Sequence, residues 1–511
     1  QASSITVCPA TLPLATTASK LRKLCGARGG MTDMMPGMMS PSLNPSRVPQ
    51  PEKYVERIGA FCLDGADFQA VRPLEAAPDK VKNFSDVSRP EMIRSLCHSH
   101  VPGWKAFPEE ELAIDQICEG LSNQLFKVHL DKESTGVIPC VLFRVYGKDV
   151  ATLYDGEQEL NIFKTLSKYQ IAPKMYANGD GWRIEEWHFA VPLKTKYMRN
   201  PSILTQVASQ LARLHKLSSR SDFPREILEM MPASTDRLQR WVDGCETAAA
   251  KLHQSNTCPE TARRLATMNI EDIVAERDWL RKFVLEDDQK IRGSGLDVVF
   301  SHNDAQENNI LQTHYGLRFI DFEYSSMDYQ AYDIANYFCE CTIDYTADKY
   351  PFYSLSLSDF PSEWEQRLFC AIYLSEYLES KVTLEDSSVT LLLQRVNRFT
   401  LMSHYLWTVW SVIRAPQACT FNEFDFLNYA QARWDTYMRT KRTLLEAQEK
   451  AKKARPRGWS DASFSSDRRA PALSSSSRQK KGPYVLGGAL TAGGVLLGAA
   501  AVVVVTRLLR R

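Results

Sequence analysis

The sequence predicts an α+β chain of two lobes, a small β-rich one followed by a large helical one, with a membrane-spanning helix near its C-terminal end. Three observations carry that expectation. Short apolar, β-branched runs separated by polar turns occupy residues 113–187. Stretches with apolar residues at helical spacing, residues 333–341 and 401–410 among them, lie beyond residue 188. Residues 484–506 then run for 23 positions without a charge. The expected organisation is residues 1–88 as a largely disordered extension, 89–187 as the first lobe, 188–448 as the second, 449–483 as a basic flexible linker and 484–506 as the anchor.

Each element has a local reason. Residues 1–50 are rich in Ser, Pro, Thr and Met, with Asp33 as the one acid, and such a segment cannot bury a core. Its acid-poor, basic character suits a targeting segment, but it lacks the apolar stretch of a secretory signal. Residues 113–118 and 125–130 read as strands joined by a turn at 119–123, and residues 139–146 as a third strand with Arg144 amid apolar neighbours. Residues 155–169 read as a helix and 182–187 as a further strand. Residues 298–301, 310–311 and 317–320 read as short strands, the last two with Gly316 in the turn between them. Residues 449–483 are rich in Ser, Lys and Arg and contain Pro456, Gly458, Pro471 and Pro483, which predicts a coil spanning about 30–35 Å. As a helix, residues 484–506 would span about 34 Å, close to the hydrocarbon thickness of a bilayer. Basic residues flank them on both sides, and this predicts a tail anchor with the rest of the chain facing the cytosol.

Composition excludes some functions. A net charge of +1 over 511 residues offers no global field for nucleic acid. Twelve cysteines without a CxxC pair suggest a reducing compartment rather than a disulfide scaffold, and the nine histidines show no metal-ligand spacing.

The chemistry concentrates in residues 302–324 (HNDAQENNILQTHYGLRFIDFEY). Asp304 stands two residues after His302, Asn309 five residues after Asp304, and Asp321 twelve residues after Asn309. Phosphoryl transfer from a nucleotide needs one carboxylate to orient the attacking hydroxyl. It also needs an amide oxygen and a second carboxylate to hold the metal that bridges the phosphates. A polar loop between two strands, and an Asp at the end of the next strand, would supply them.

This block, together with residues 320–345 (IDFEYSSMDYQAYDIANYFCECTIDY), resembles the choline and ethanolamine kinase family, and the resemblance spans roughly residues 89–448. It implies a protein-kinase-like fold and transfer of the γ-phosphoryl group of ATP to choline, the first step of the CDP-choline route to phosphatidylcholine. Asp304 would serve as the base, Gln306 would steady its loop or the acceptor, and Asn309 and Asp321 would hold Mg²⁺. The turn Gly120, Leu121, Ser122 and Asn123 is similar to the family's phosphate-binding turn. Gly120 permits close backbone approach, and the N–H groups can donate to phosphate oxygens. Arg144 would bind phosphates and pair with Glu159 on the following helix. By position alone, the backbone at Glu186 and Trp187 would meet the adenine edge.

A quaternary ammonium is best held by aromatic faces with a carboxylate nearby. Trp407 and Trp410 lie three apart and share a helix face. The resemblance implies a choline pocket of Tyr324, Glu340, Tyr345, Trp407, Trp410 and Tyr429. Gln306, the segment Phe338-Cys339-Glu340 and the segment at 429–433 (YAQAR) resemble the choline branch, with an ethanolamine or dual kinase as the alternative. Other readings are a membrane-tethered pseudokinase and an antibiotic kinase. Asn308 and Ala335 depart from a common Gly, and Asn308 is expected to keep the loop by tolerating a left-handed backbone. Family members are often dimers, so the resemblance leaves room for a homodimer. The endoplasmic reticulum suits the anchor better than the mitochondrial outer membrane.

Overall fold

Alternation along the early strands decides which face of the first sheet becomes core. The computed structural model describes residues 89–119, 123–130, 136–146, 153, 155–254, 259–286, 297–417 and 424–454. Two compact units divide them. One holds the residues up to Pro224 together with Ala305–Ser325 and Pro361–Val389; the other holds Arg225–Asp304, Ser326–Phe360 and the residues from Thr390 onward.

The first unit opens with helix α1 (Pro90–His100), started by proline at its first turn, where no N–H partner is lost. Strands β1 (Leu112–Glu119), β2 (Asn123–Leu130) and β3 (Cys140–Tyr146) follow, then helix α2 (Gly156–Lys168), β4 (Met175–Gly179) and β5 (Trp182–Glu186). The strands form one antiparallel sheet in the order β1-β2-β3-β5-β4. One face is apolar: Phe126, Val128, Val141, Phe143, Val145 and Ile184 pack with Ile93 and Cys97 of α1 and with Trp104. Trp104 fixes its indole by donating to the Ile138 carbonyl at 2.8 Å. The expected helix at 155–169 is α2; Asp155 caps it, accepting the N–H of Glu157 at 2.9 Å.

Further along the same unit, Val191–Pro192, Ile310–Thr313 and Gly316–Phe319 form a three-stranded sheet. Gly316 has φ of +106°, which the tight turn before it requires and other residues resist. Helices Pro201–His215 and Glu363–Leu378 pack together, and the His215 ring meets the Tyr373 hydroxyl at 2.7 Å.

The second unit is mainly helical. Val298–Ser301 and Ser326–Tyr329 pair as an antiparallel ribbon. Helix Gln330–Glu340 is buried along its whole length, consistent with its largely uncharged sequence. The expected helix at 401–410 is the inner part of Ser387–Arg414. The last helix, Phe426–Ala454, continues into the expected linker on a run of Glu, Lys, Gln and Ala, which are good helix formers. Among the described residues no helix is long and apolar enough to cross a membrane. The expected anchor at 484–506, the linker beyond 454 and the extension up to 88 lie outside the described residues.

Asp328 sits fully buried on the ribbon and accepts both the N–H and the hydroxyl of Ser234, at 3.0 and 2.8 Å. Burial pushes its carboxyl up to about 6, against the pull of Arg237 and the Ser234 bonds. A carboxyl that binds its proton more tightly when folded stabilises fully below its unfolded value, and that contribution fades as pH rises through the folded one. Relative to Asp328→Asn, the native chain should therefore lose on the order of 3 kcal/mol between about pH 4 and about pH 7.5. Urea unfolding of both proteins at the two pH values measures this; an unchanged difference would refute the assignment.

Candidate functional site

In the first unit, hairpin register brings distant residues together. Ile310 pairs with Phe319, and the Ile320 N–H donates to the Asn309 carbonyl at 3.0 Å, so the ladder runs one residue past the strands. Asn309 and Asp321 thus stand at the same end of one hairpin. Asp321 has φ of +61°, and its Oδ1 is buried without a hydrogen bond. The Arg144 Nη1 lies 3.7 Å from that oxygen. A buried carboxylate oxygen lacking a donor fits a divalent cation, and the Asn309 amide oxygen is a ligand of the same hard type. Gln306 caps the short turn that leads into Asn309, its Oε1 accepting the Asn308 N–H at 2.8 Å. Asn308 is not among the residues with left-handed backbone, so the tolerance expected of it is not needed. The short 3₁₀ turn of Glu307–Asn309 satisfies the local geometry, and the left-handed residue of the loop is Asn303, with φ of +67°.

Arg144 and Glu159 belong to a buried cluster of four charges. Arg144 and Arg183 stand directly opposite each other on β3 and β5. Like charges in that position repel unless carboxylates intervene. Glu159 takes Arg183 at 2.5 Å, while Glu185 takes Arg144 at 3.1 Å and lies 3.4 Å from Arg183. Burial and Arg183 work against the Arg144 charge, yet Glu185, Asp321 and Glu159 outweigh them and hold the guanidinium above its usual value. Burial would raise the Glu185 carboxyl, but the two arginines keep it below the usual range. Sequence reasoning missed Arg183 and Glu185. The signal was present in the segment Trp182-Arg183-Ile184-Glu185: two charges alternating with apolar residues in one strand need partners as much as Arg144 does.

The remaining nucleotide-side positions are less engaged. Asn123 donates to Glu323 at 3.3 Å, linking the end of the expected turn to the Asp321 block; Gly120, Leu121 and Ser122 lie outside the described residues. Glu186 accepts the Lys174 N–H at 3.1 Å, and Lys127 lies 5.5 Å from the Trp187 ring. Tyr324, also in the first unit, is 3 % exposed.

In the second unit, the loop before Asp304 is held by Asp333. This fully buried carboxylate accepts the backbone N–H groups of His302 at 2.8 Å and Asn303 at 2.9 Å. The Asp304 N–H donates to His302 Nδ1 at 3.2 Å. Asp304 also acts electrostatically on the Tyr429 hydroxyl, which burial and then Glu340 and Asp304 raise while Arg433 opposes.

Five of the expected amine-binding residues gather in this unit. Trp407 and Trp410 stack edge to face with centroids 5.3 Å apart. Trp407 donates its Nε1–H to Asn336 at 2.8 Å, which fixes the indole plane. Tyr345 donates to Glu340 at 2.8 Å and meets the Tyr429 hydroxyl at 2.6 Å. Phe424, Phe426 and Tyr353 complete the aromatic lining, the last at 5.1 Å and near a right angle to Tyr429. Glu340 also takes Arg433 at 2.7 Å. The sequence marks Arg433 only as the last residue of the choline-type segment 429–433 and assigns it no contact; it follows Tyr429 by four residues on one helix face.

The choline/ethanolamine kinase family model matches residues 114–438. A choline/ethanolamine kinase of Rattus norvegicus is 31 % identical over 384 residues, 72 % of this chain and 91 % of that protein. Choline kinase alpha of Mus musculus is 30 % identical over 383 residues, 68 % of this chain and 80 % of that protein. Among solved structures, a choline kinase from Cryptosporidium parvum superposes with a TM-score of 0.62 at 34 % identity, covering 70 % of this chain and 97 % of its own. The match runs from β1 to the last helix, so the hairpin, the Asp304 loop and the aromatic lining all fall within one homologous region, and the chain belongs to the choline/ethanolamine kinase family.

Proposed function

We propose that the protein transfers the γ-phosphoryl group of ATP to the hydroxyl of choline, giving phosphocholine, with ethanolamine the poorer acceptor. The observation that carries this reading is a buried Glu340 bonded to Tyr345, which meets Tyr429, with the Trp407–Trp410 pair held to the same helix through Asn336. Ring faces attract a methylated ammonium by about 0.5–2 kcal/mol each without hydrogen bonds. The relatives' own names span choline and ethanolamine kinases, so the preference rests on this chain's side chains.

In this reading Asp304 accepts the hydroxyl proton as the oxygen attacks, and the Asp333 contacts keep its backbone in place. Asn309 and Asp321 would hold Mg²⁺, which supplies charge neutralisation across the phosphates when bound. Arg144, anchored by Glu185, offers its guanidinium to phosphate oxygens. Gln306 stiffens the loop between Asp304 and Asn309. The acceleration comes from positioning and charge complementarity. Residues 484–506 are proposed to tether the enzyme to a membrane, the endoplasmic reticulum first, supported by their 23 uncharged positions.

Three outcomes test the reading. Asp304→Ala should lower kcat for choline by at least about 100-fold while ATP still binds by calorimetry; near-normal turnover removes Asp304 from the mechanism. Radiolabelled ATP offered with choline, ethanolamine and an aminoglycoside should label choline best; preferential labelling of the sugar would make the protein an antibiotic kinase. The full chain expressed in cells should resist carbonate extraction from membranes, whereas a chain lacking 484–506 should be released.

A further inference from the structure

We propose that Arg433 sets the choice between methylated and primary amines by withdrawing the Glu340 carboxylate from hydrogen bonding with the substrate. The inference rests on the amine site proposed above. Glu340 is 1 % exposed, and both of its oxygens are engaged: Oε1 accepts from Arg433 at 2.7 Å and Oε2 from Tyr345 at 2.8 Å. Arg433 is equally buried, so the pair is a neutral unit inside the protein. Hydrogen order follows from the donors. Tyr345 has one hydroxyl proton and gives it to Glu340, so the 2.6 Å contact with Tyr429 places the Tyr429 proton on Tyr345. Arg433 and Tyr345 therefore donate to the carboxylate, and Tyr429 backs the Tyr345 donor. The guanidinium also lies 5.4 Å from the Tyr429 ring, on the site's own aromatic wall.

The consequence differs between the two amines. A primary ammonium carries three donors and leaves water only if acceptors replace it. A carboxylate already matched by a guanidinium and a phenol offers such an ammonium little charge and few lone pairs. A trimethylammonium has no donors and loses nothing by this; it draws on ring faces instead. Selectivity thus arises by leaving the wrong substrate's donors unpaired, the stronger form of discrimination. Arg433 acts through Glu340 and is a positioning residue.

The test uses the full chain and steady-state kinetics with both amines. Tyr345→Phe keeps the ring but frees Oε2, and Arg433→Met frees Oε1 and unmasks the charge. Each should lower the KM for ethanolamine relative to that for choline by about tenfold, while Arg433→Lys, which keeps a cation, should stay nearer the native ratio. A general loss of packing would weaken both amines together and leave the ratio alone. Should Arg433→Met fail to fold, Tyr345→Phe decides: an unchanged KM ratio in that variant overturns the specificity role. If the unaltered chain phosphorylates neither amine, the proposed function itself falls; if it phosphorylates choline and the ratio does not move, only the role of Arg433 falls.

Discussion

Two successive backbone N–H groups aimed at one buried carboxylate hold the loop before Asp304 in shape. Asp333 accepts from His302 and Asn303, and it does so with no exposure to water. Hydrogen bonds to a charged group are worth about 1.5–3 kcal/mol each. A left-handed residue such as Asn303 costs about 1–2 kcal/mol, so the two bonds outweigh the strain. The turn they enforce directs the next amide, that of Asp304, onto His302. Without Asp333 the loop would relax toward ordinary backbone, and the position of Asp304 would no longer be defined.

The same solution, a carboxylate matched to a buried partner, recurs at two other places with different results. In the first sheet, four buried charges neutralise one another around Arg144 and Arg183. Removing one member of such a cluster commonly costs about 3–5 kcal/mol, because a bare charge is left behind. The cluster ties α2 to β3 and β5 and keeps one guanidinium 3.7 Å from Asp321. In the region proposed to bind the amine the Glu340–Arg433 pair is equally buried, and it has rings as neighbours: Tyr345 bonds Glu340 and Arg433 lies 5.4 Å from the Tyr429 ring. One network presents charge and the other conceals it.

What the sequence made legible was what short-range spacing encodes. Asn309 and Asp321 could be placed at one end of a hairpin because Gly316 in its turn fixes their register locally. Trp407 and Trp410 could be placed because helical periodicity puts them on one face. Arg183, Glu185, Asp333 and Arg433 escaped because their partners lie far away in sequence. Arg183 stands 24 residues from Glu159, and Arg433 stands 93 from Glu340. No local pattern states such a pairing; only the strand order and the packing of helices produce it. The loop places its left-handed backbone at Asn303 rather than at Asn308, a choice set by the distant Asp333 and not by residues next to it in sequence.

Helix Gln330–Glu340 carries Asp333 in its first turn and Glu340 as its final residue. Seven residues of helix measure about 10.5 Å, and every side chain along them is buried. The support for the Asp304 loop and the carboxylate among the rings are therefore mounted on one stiff rod. Shifting or rotating that rod moves both together, and neither can drift while the other stays still. The backbone of the Asp304 loop and the Glu340 carboxylate are thus spaced by a ruler of fixed length rather than by flexible loops.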